Sequence, residues 1–346
     1  MLSNLLVRRD SPRVYSLLTY LHQPLVMLGV LLWVVAVLSV FVGRYPAPYW
    51  MRPADLWKDS LAQTLVLNLR LPRLLMACWL GMTLAASGSV LQMVFRNPLV
   101  EPGFLGVSQG AAFGAALAMV LPGGFSLLVP LSATLFAMLG LALSYLIASH
   151  VRYGGWILRL VLAGIAVSAL FSAGVGILKY VADPLTQLPE IVFWMMGGLW
   201  SVTWADALRV APIVLPCLVV LYRLRWRLNL LSLDDSAAFA LGVTPARERT
   251  LLLLTAVAAT ALMISVAGVV GWVGLIVPHV ARRWLGADAR RALPAAILLG
   301  GMFGLVCDDL ARTLLAGEIP LGILTSLVGS VLFIGLMLSS NPWLRR

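Results

Sequence analysis

Charge is scarce in this chain: 11% of its 346 residues are charged, and only 14 are acidic. Soluble globular domains carry about 25% charge, so a water-facing fold is excluded. Cysteine is nearly absent too. Cys78, Cys217 and Cys307 each sit inside an apolar run with no CxxC or Cys/His spacing, which reads as buried packing and not as a disulfide scaffold or zinc site. No GxxxxGK[ST] loop occurs. Nucleotide phosphates are therefore not held by that route, and ATP-driven work would fall to a partner. The acidic pairs Asp234-Asp235 and Asp308-Asp309 have no further acid within the next four residues, so the carboxylate cage of a metal-dependent transferase is missing. Acids that an ion-coupled carrier would need near the bilayer middle stand at the ends of apolar runs instead: Glu101, Asp183, Glu190, Asp308, Asp309 and Glu318. That weighs against an ion-coupled secondary transporter, which stays as the alternative. His279, just before Arg282-Arg283, reads as a structural histidine.

What the chain has in abundance is apolar surface, with 61% hydrophobic residues and a mean hydropathy of +0.96. It reads as an all-α polytopic membrane protein. Nearly uncharged runs cover 14–43, 74–95, 102–151, 160–178, 191–222, 250–281, 292–307 and 319–344. A helix needs about 20 residues to cross a bilayer. The first run shows no small-residue cleavage pattern and is expected to stay as a first helix. Residues 102–151 must fold back, and the breaker cluster Pro122-Gly123-Gly124 is the expected turn. Residues 250–281 are too long for one span and short for two, so one member is expected to be tilted or partial. Within 191–222, FWMMGGLW reads as a short interfacial helix ahead of a true span. The count is ten spans, give or take one.

Basic residues set the orientation. Of 25, seventeen fall on the side holding the N-terminus and eight on the other: Arg44, Arg52, Lys58, Arg70, Arg73, Lys179, Arg209 and Arg312. The positive-inside rule then places both termini in the cytoplasm, and it accounts for the net charge of +11 without a nucleic-acid partner. Small residues recur at fourfold spacing, as Gly81, Ala85 and Ser89, as Gly110 and Gly114, and as Gly164, Ser168, Ser172 and Gly176. Such stripes let helices approach closely or line a path. Ser87, Ser89 and Gln92 are expected to face protein or a water-filled path, because unpaired polar groups are costly in hydrocarbon.

The longest cytoplasmic connection, 223–249, carries helix signals of its own. Ser232 or Asp234 is placed to cap a short helix through Leu241, Gly242 supplies a left-handed stop, and Thr244-Pro245 begins another helix. A connection built of two capped helices offers a docking surface; a merely solvated basic loop is the alternative.

Several stretches together resemble the permease subunits of binding-protein-dependent ABC importers for iron-siderophore complexes, haem and cobalamin. They are RLPRLL at 70–75, GSVLQMVFRNPLVEPGFLGVSQGA at 88–111, LRLVLAGIAVSAL at 158–170, FWMMGGLW at 193–200, GWVGLIVPHVAR at 271–282 and the run from Asp308 to Met337. The resemblance implies a type II importer permease fold as one domain over 1–346, in a bacterial inner (cytoplasmic) membrane. It implies a second permease copy, forming a homodimer or close heterodimer, two cytoplasmic ATPase subunits and a periplasmic substrate-binding protein. ATP and Mg²⁺ would lie on the ATPase partners, with no cofactor on this chain and no bond-breaking chemistry. Cargo would move by alternating access.

Carried over by position, the resemblance makes Arg70, Arg73 and Arg312 the docking sites for the binding protein, and Asn97 and Leu99 a cytoplasmic gate. Ile157 and Leu158 would form a second constriction or simply pack. Asp234, Asp235, Ser236, Ala238, Leu241 and Gly242 would seat in the ATPase. Gln92, Met195, Met196 and Trp200 would line the cargo path, or the last three would anchor an interfacial helix. Ferric siderophore is the leading cargo because that group is the broadest. Haem, cobalamin and oxyanions of the molybdate type remain open.

Overall fold

The computed structural model describes residues 12–46, 49–121 and 127–338, with side chains from residue 23 onwards. The expected turn at Pro122-Gly123-Gly124 lies outside the described residues, as do the terminal arginines Arg8, Arg9, Arg345 and Arg346. Helix α1 (Pro12–Phe41) leads into a two-stranded antiparallel ribbon, β1 (Val42–Gly43) with β2 (Tyr49–Trp50). Then come α2 (Asp55–Lys58), α3 (Ser60–Leu65), a π-helical turn over Val66–Arg70, and α4 (Leu71–Val94). A 3-10 turn over Pro102–Leu105 precedes α5 (Val107–Val120), followed by α6 (Leu128–His150), α7 (Trp156–Val181), the short α8 (Gln187–Met196) and α9 (Trp204–Leu231). The chain closes with α10 (Asp235–Ala240), α11 (Pro245–Ala267), α12 (Val273–Leu285), α13 (Ala289–Thr313) and α14 (Leu321–Leu338).

Eight helical segments among the described residues are long and apolar enough to cross a membrane, α5 is a shorter apolar helix, and α12 is a short helix that ends in Arg282 and Arg283. At 1.5 Å per residue α5 and α12 reach only about 20 Å, against about 30 Å of hydrocarbon. Among the described residues the eight full-length spans are thus joined by two short helices that do not reach across on their own. The partial member foreseen in 250–281 is α12. It is separated from α11 by the unwound stretch 268–272, in which Gly268 has φ +68° and Trp272 φ +70°. Unwound backbone at such depth must be satisfied by protein. Here Trp272 N–H donates to the Glu101 carboxylate at 3.3 Å, and at the edge of the break Ala267 O accepts from Gly198 N–H at 2.8 Å.

Helix α4 runs through the centre of the bundle, and its small residues explain why. A Cβ on Gly81 would lie 1.9 Å from Gly300 O, and one on Gly300 would lie 2.6 Å from the Ala85 Cβ, so α4 and α13 cross backbone to backbone. Lower on the same helix, a Cβ on Gly88 would meet Gly274 O of α12 at 1.9 Å. Gly110 and Gly114 bring α5 equally close to α6, each 2.4 Å from a carbonyl of that helix by the same measure. Polar residues of α4 face protein as expected: Ser87 donates to Ala256 O of α11 at 3.0 Å. The stripe on α7 divides, since Gly164 packs on Phe104 and Leu105, whereas Gly176 has nothing within 4 Å.

Candidate functional site

At the end of the bundle where α1 meets α13, the three arginines of the resemblance converge on one depression of about 310 Å³. Arg70 comes from the π-helical turn, Arg73 from the first turn of α4 and Arg312 from the last turn of α13. None is a free rim charge. Arg70 donates to Val40 O at 3.0 Å and to Tyr45 O at 2.9 Å, pinning the ribbon to α1. Arg73 donates to Asp308 at 2.7 Å and to both oxygens of Glu318 at 2.8 Å. Arg312 meets Asp308 at 3.0 Å, pairs with Asp309, and donates to Val42 O at 3.1 Å. Arg70 and Arg73 are buried, Arg312 is half-buried, and Asp308 is completely buried. Two guanidinium groups, of Arg73 and Arg312, thus share three carboxylates, while backbone carbonyls satisfy Arg70. A buried charge left unpaired costs several kcal/mol, roughly, so the fold recruits acids more than 230 residues away in sequence. Sequence spacing gives no sign of that pairing.

Next to this depression is a cavity of about 640 Å³ lined by Glu190, Phe193, Trp194, Trp200 and Glu318. Trp200 lies where a cargo contact was expected. Met195 and Met196 do not line it. Both are half-buried; Met195 packs on the Ala116–Ile191 cluster, and the Met196 carbonyl abuts Gly322 of α14. The aromatic lining of Phe193 and Trp194 was legible in FWMMGGLW, but a ten-residue helix does not declare from sequence which face turns inward.

A second cavity, of about 580 Å³, is lined by Asn97, Leu99, Glu101, Val161, Ile165 and Thr260. Asn97 and Leu99 sit together in an Asx turn, with Leu99 N–H donating to the Asn97 side chain at 2.9 Å. Ile157 packs partly into the core, and Leu158 is exposed. Neither lines this cavity; the next turn of α7, with Val161 and Ile165, does. Gln92 is no part of it either. Its amide donates to Gly274 O and Leu275 O at 3.1 Å each and accepts from Arg282 at 2.5 Å, which fastens α4 to α12. Glu101, read from sequence as a span-end acid, faces the break between α11 and α12 because the 3-10 turn folds back into the bundle.

At the opposite end of the bundle from the arginines, the connection expected over 223–249 is shorter, since α9 continues to Leu231 and α11 starts at Pro245. Between them α10 forms where foreseen, and Gly242 terminates it with φ +83°. Ser232 caps nothing there; its hydroxyl donates to Asn229 O at 2.6 Å. Asp234 is the N-cap by backbone, yet its carboxylate makes no cap and lies 3.5 Å from Arg96. Asp235 is held bidentately by buried Arg249 at 2.6 and 3.0 Å. The Arg249 hydrogen bond keeps the Asp235 carboxyl below its ordinary value of 3.8, so this clasp persists above that range and loosens only on acidification through the lowered value. Ser236, Leu241 and Gly242 are exposed, but Ala238 is buried against the bundle and offers no partner surface. Phe239, which the sequence reading passed over, is 68% exposed. An aromatic residue in a short polar connection was the available signal.

Helix α4 ends in a Schellman arrangement. Arg96 N–H donates to Met93 O at 3.2 Å and Asn97 N–H to Gln92 O at 3.0 Å. The left-handed position usually filled by glycine is Arg96, with φ +51°, a conformation that costs a residue with a Cβ about 1 kcal/mol or more. Its guanidinium reaches Leu231 O, Leu233 O, Asp234 and Asp235 around the start of α10.

Comparison with known proteins adds a family. Residues 31–339 match the FecCD transport family. The chain is 42% identical over 327 residues to the haemin transport system permease protein HmuU of Yersinia pestis, covering 91% of this chain and 96% of that one. It is 41% identical over 314 residues to the molybdate import system permease protein MolB of Haemophilus influenzae, covering 88% and 92%. A solved inward-facing structure of a metal-chelate type ABC transporter superposes with a TM-score of 0.84 at 41% identity, covering 91% of this chain and 98% of that one.

Proposed function

The chain belongs to the FecCD transport family, and from that premise we propose that it is the multi-pass permease of an ATP-driven importer for a metal chelate, a ferric siderophore foremost. The observation that carries the reading is α10. Two turns stand at the end of the bundle with Phe239 and Leu241 largely exposed, in a chain with no phosphate-binding loop of its own. Exposed large apolar residues on a short, tethered helix suit a groove on an ATPase subunit, one per permease copy. The open faces of α7 around Ser172 and Gly176 would meet the second copy about a shared path.

Relatives named for haemin and for molybdate are about equally similar, so overall identity does not choose a cargo. Cavity chemistry leans towards the chelate. Phe193, Trp194 and Trp200 offer aromatic faces to a bulky ligand shell, while Glu190 and, in the second cavity, Glu101 would repel a small oxyanion. Docking of a substrate-binding protein at the arginine depression would proceed by exchange, its carboxylate replacing half-exposed Glu318 on Arg73. The ATPase contact is the part most directly tested. Phe239→Asp should weaken the permease–ATPase complex by roughly thirtyfold, as loss of a central aromatic anchor does, read by co-purification and titration in detergent. An intact complex at wild-type affinity would remove α10 as the ATPase contact.

A further inference from the structure

We propose that Arg96 and the Arg249–Trp156 pair are the two linkages that carry a displacement of α10 to the two inner segments 97–99 and 156–158. The proposal rests on the reading of α10 as the ATPase contact, and it names residues that neither the resemblance nor the expected site includes. Helix α10 is joined to the bundle by two arms that start from adjacent carboxylates. On the first, Arg96 at the end of α4 brackets the entry to α10, donating to Leu231 O and Asp234 at 3.5 Å and to the Leu233 carbonyl, with Asp235 3.9 Å away. The next residue is Asn97, which opens the Asx turn to Leu99 on the wall of the inner cavity.

On the second arm, Asp235 grips Arg249 bidentately, and the Arg249 guanidinium lies 5.8 Å over the ring of Trp156. Trp156 stacks on Phe95 with centroids 6.1 Å apart, and it is the first residue of α7, directly before Ile157 and Leu158. Phe95 closes a loop between the arms, because it immediately precedes Arg96. A push on α10 therefore meets charged, bidentate or stacked contacts that transmit direction, where a greasy contact would let it slip.

Backbone strain at Arg96 points the same way independently. Glycine is the residue that the left-handed end of α4 calls for, and an observed outlier that persists argues for a role of its side chain. That supplies an unusually clean variant. Arg96→Gly relieves the backbone and removes the linkage, so a purely structural Arg96 and a transmitting Arg96 give opposite results.

The test uses the complete reconstituted importer in lipid vesicles, with ATP hydrolysis and cargo uptake measured on the same preparation, and with spin labels at Leu99 and Leu158 reporting the spacing across the path. Arg96→Gly should keep or raise thermal stability, keep the ATPase bound and hydrolysing, and lower uptake per ATP by roughly tenfold, a typical size for coupling between two sites. The nucleotide-dependent change at Leu99 should shrink while that at Leu158 persists. Trp156→Leu should do the reverse, with Trp156→Phe recovering part of the loss. Unchanged uptake per ATP in both variants, with the complex assembled, overturns the proposal. Failure of the underlying reading looks different: Phe239→Asp would then leave the ATPase bound, whatever Arg96 does.

Discussion

Asp308→Ala is expected to destabilise the protein by roughly 3–5 kcal/mol, the range for removing one partner of a buried ion pair. Asp308 is fully buried and is shared by two guanidinium groups, Arg73 at 2.7 Å and Arg312 at 3.0 Å. Its removal leaves the Arg73 and Arg312 clusters with one negative charge too few in a place that water hardly reaches. The hydroxyl of Ser39 on α1 donates to Asp309 at 2.5 Å, so α1 and the ribbon should loosen along with the cluster. Glu318, half exposed at the edge, sets the contrast. Its replacement by Gln keeps hydrogen-bond acceptance towards Arg73 and should cost about 1 kcal/mol or less, as for a partly solvated pair. Thermal unfolding in detergent, followed by near-ultraviolet dichroism, separates the two variants; equal midpoints would show that Asp308 is not the centre of the cluster. The same reasoning excludes simultaneous charge reversal of Arg70, Arg73 and Arg312 as a docking test, because that variant places three negative charges against three carboxylates.

Gly81→Leu is the second large effect. The Cβ alone would lie 1.9 Å from Gly300 O, and the obstacle is backbone, which has no rotamer to yield. Helices α4 and α13 would have to separate through the centre of the bundle, uncovering Gly304 and Ala85 as well. Overpacking in a close-packed interior costs roughly 1–3 kcal/mol where neighbours give way and more where they do not, so loss of folded protein on expression is the expected outcome. Gly176→Leu is the matched control. Nothing lies within 4 Å of a Cβ there, and the monomer's unfolding free energy should stay within about 0.5 kcal/mol of wild type, leaving its thermal midpoint nearly unmoved. Similar midpoints for both variants would mean that the α4–α13 crossing is not the tight contact described.

These two predictions also mark where the sequence was legible. Gly81 and Ala85 could be singled out because a fourfold spacing of small residues points to close helix approach or to a path, and the crossing with α13 is the first of these. The partial helix in 250–281 and the stop at Gly242 followed from length and breaker chemistry, which are local; the short helix expected over FWMMGGLW lies instead over Gln187–Met196, because the chain leaves the helix at Gly197 with φ +69°. Charges were a different matter. The docking arginines were read as outward because their spacing says only which end of the bundle they occupy, whereas their partners Asp308 and Glu318 come from the far end of the chain. Gln92 was read as path-lining for a similar reason: polarity in a span shows that a group is not facing lipid, without saying whether water or the carbonyls of α12 receive it. Ala238 and Phe239 exchanged roles because a six-residue helix has too few turns for its faces to be assigned from pattern.

On the proposed reading, this chain moves cargo only when a bound ATPase drives it. The direct measurement is uptake of a ferric siderophore into vesicles containing the permease, with the ATPase subunits and the substrate-binding protein added or withheld and with ATP supplied on the ATPase side. Uptake is predicted to require all three additions and to be indifferent to proton or sodium gradients. Accumulation driven by an ion gradient with the permease alone would contradict it.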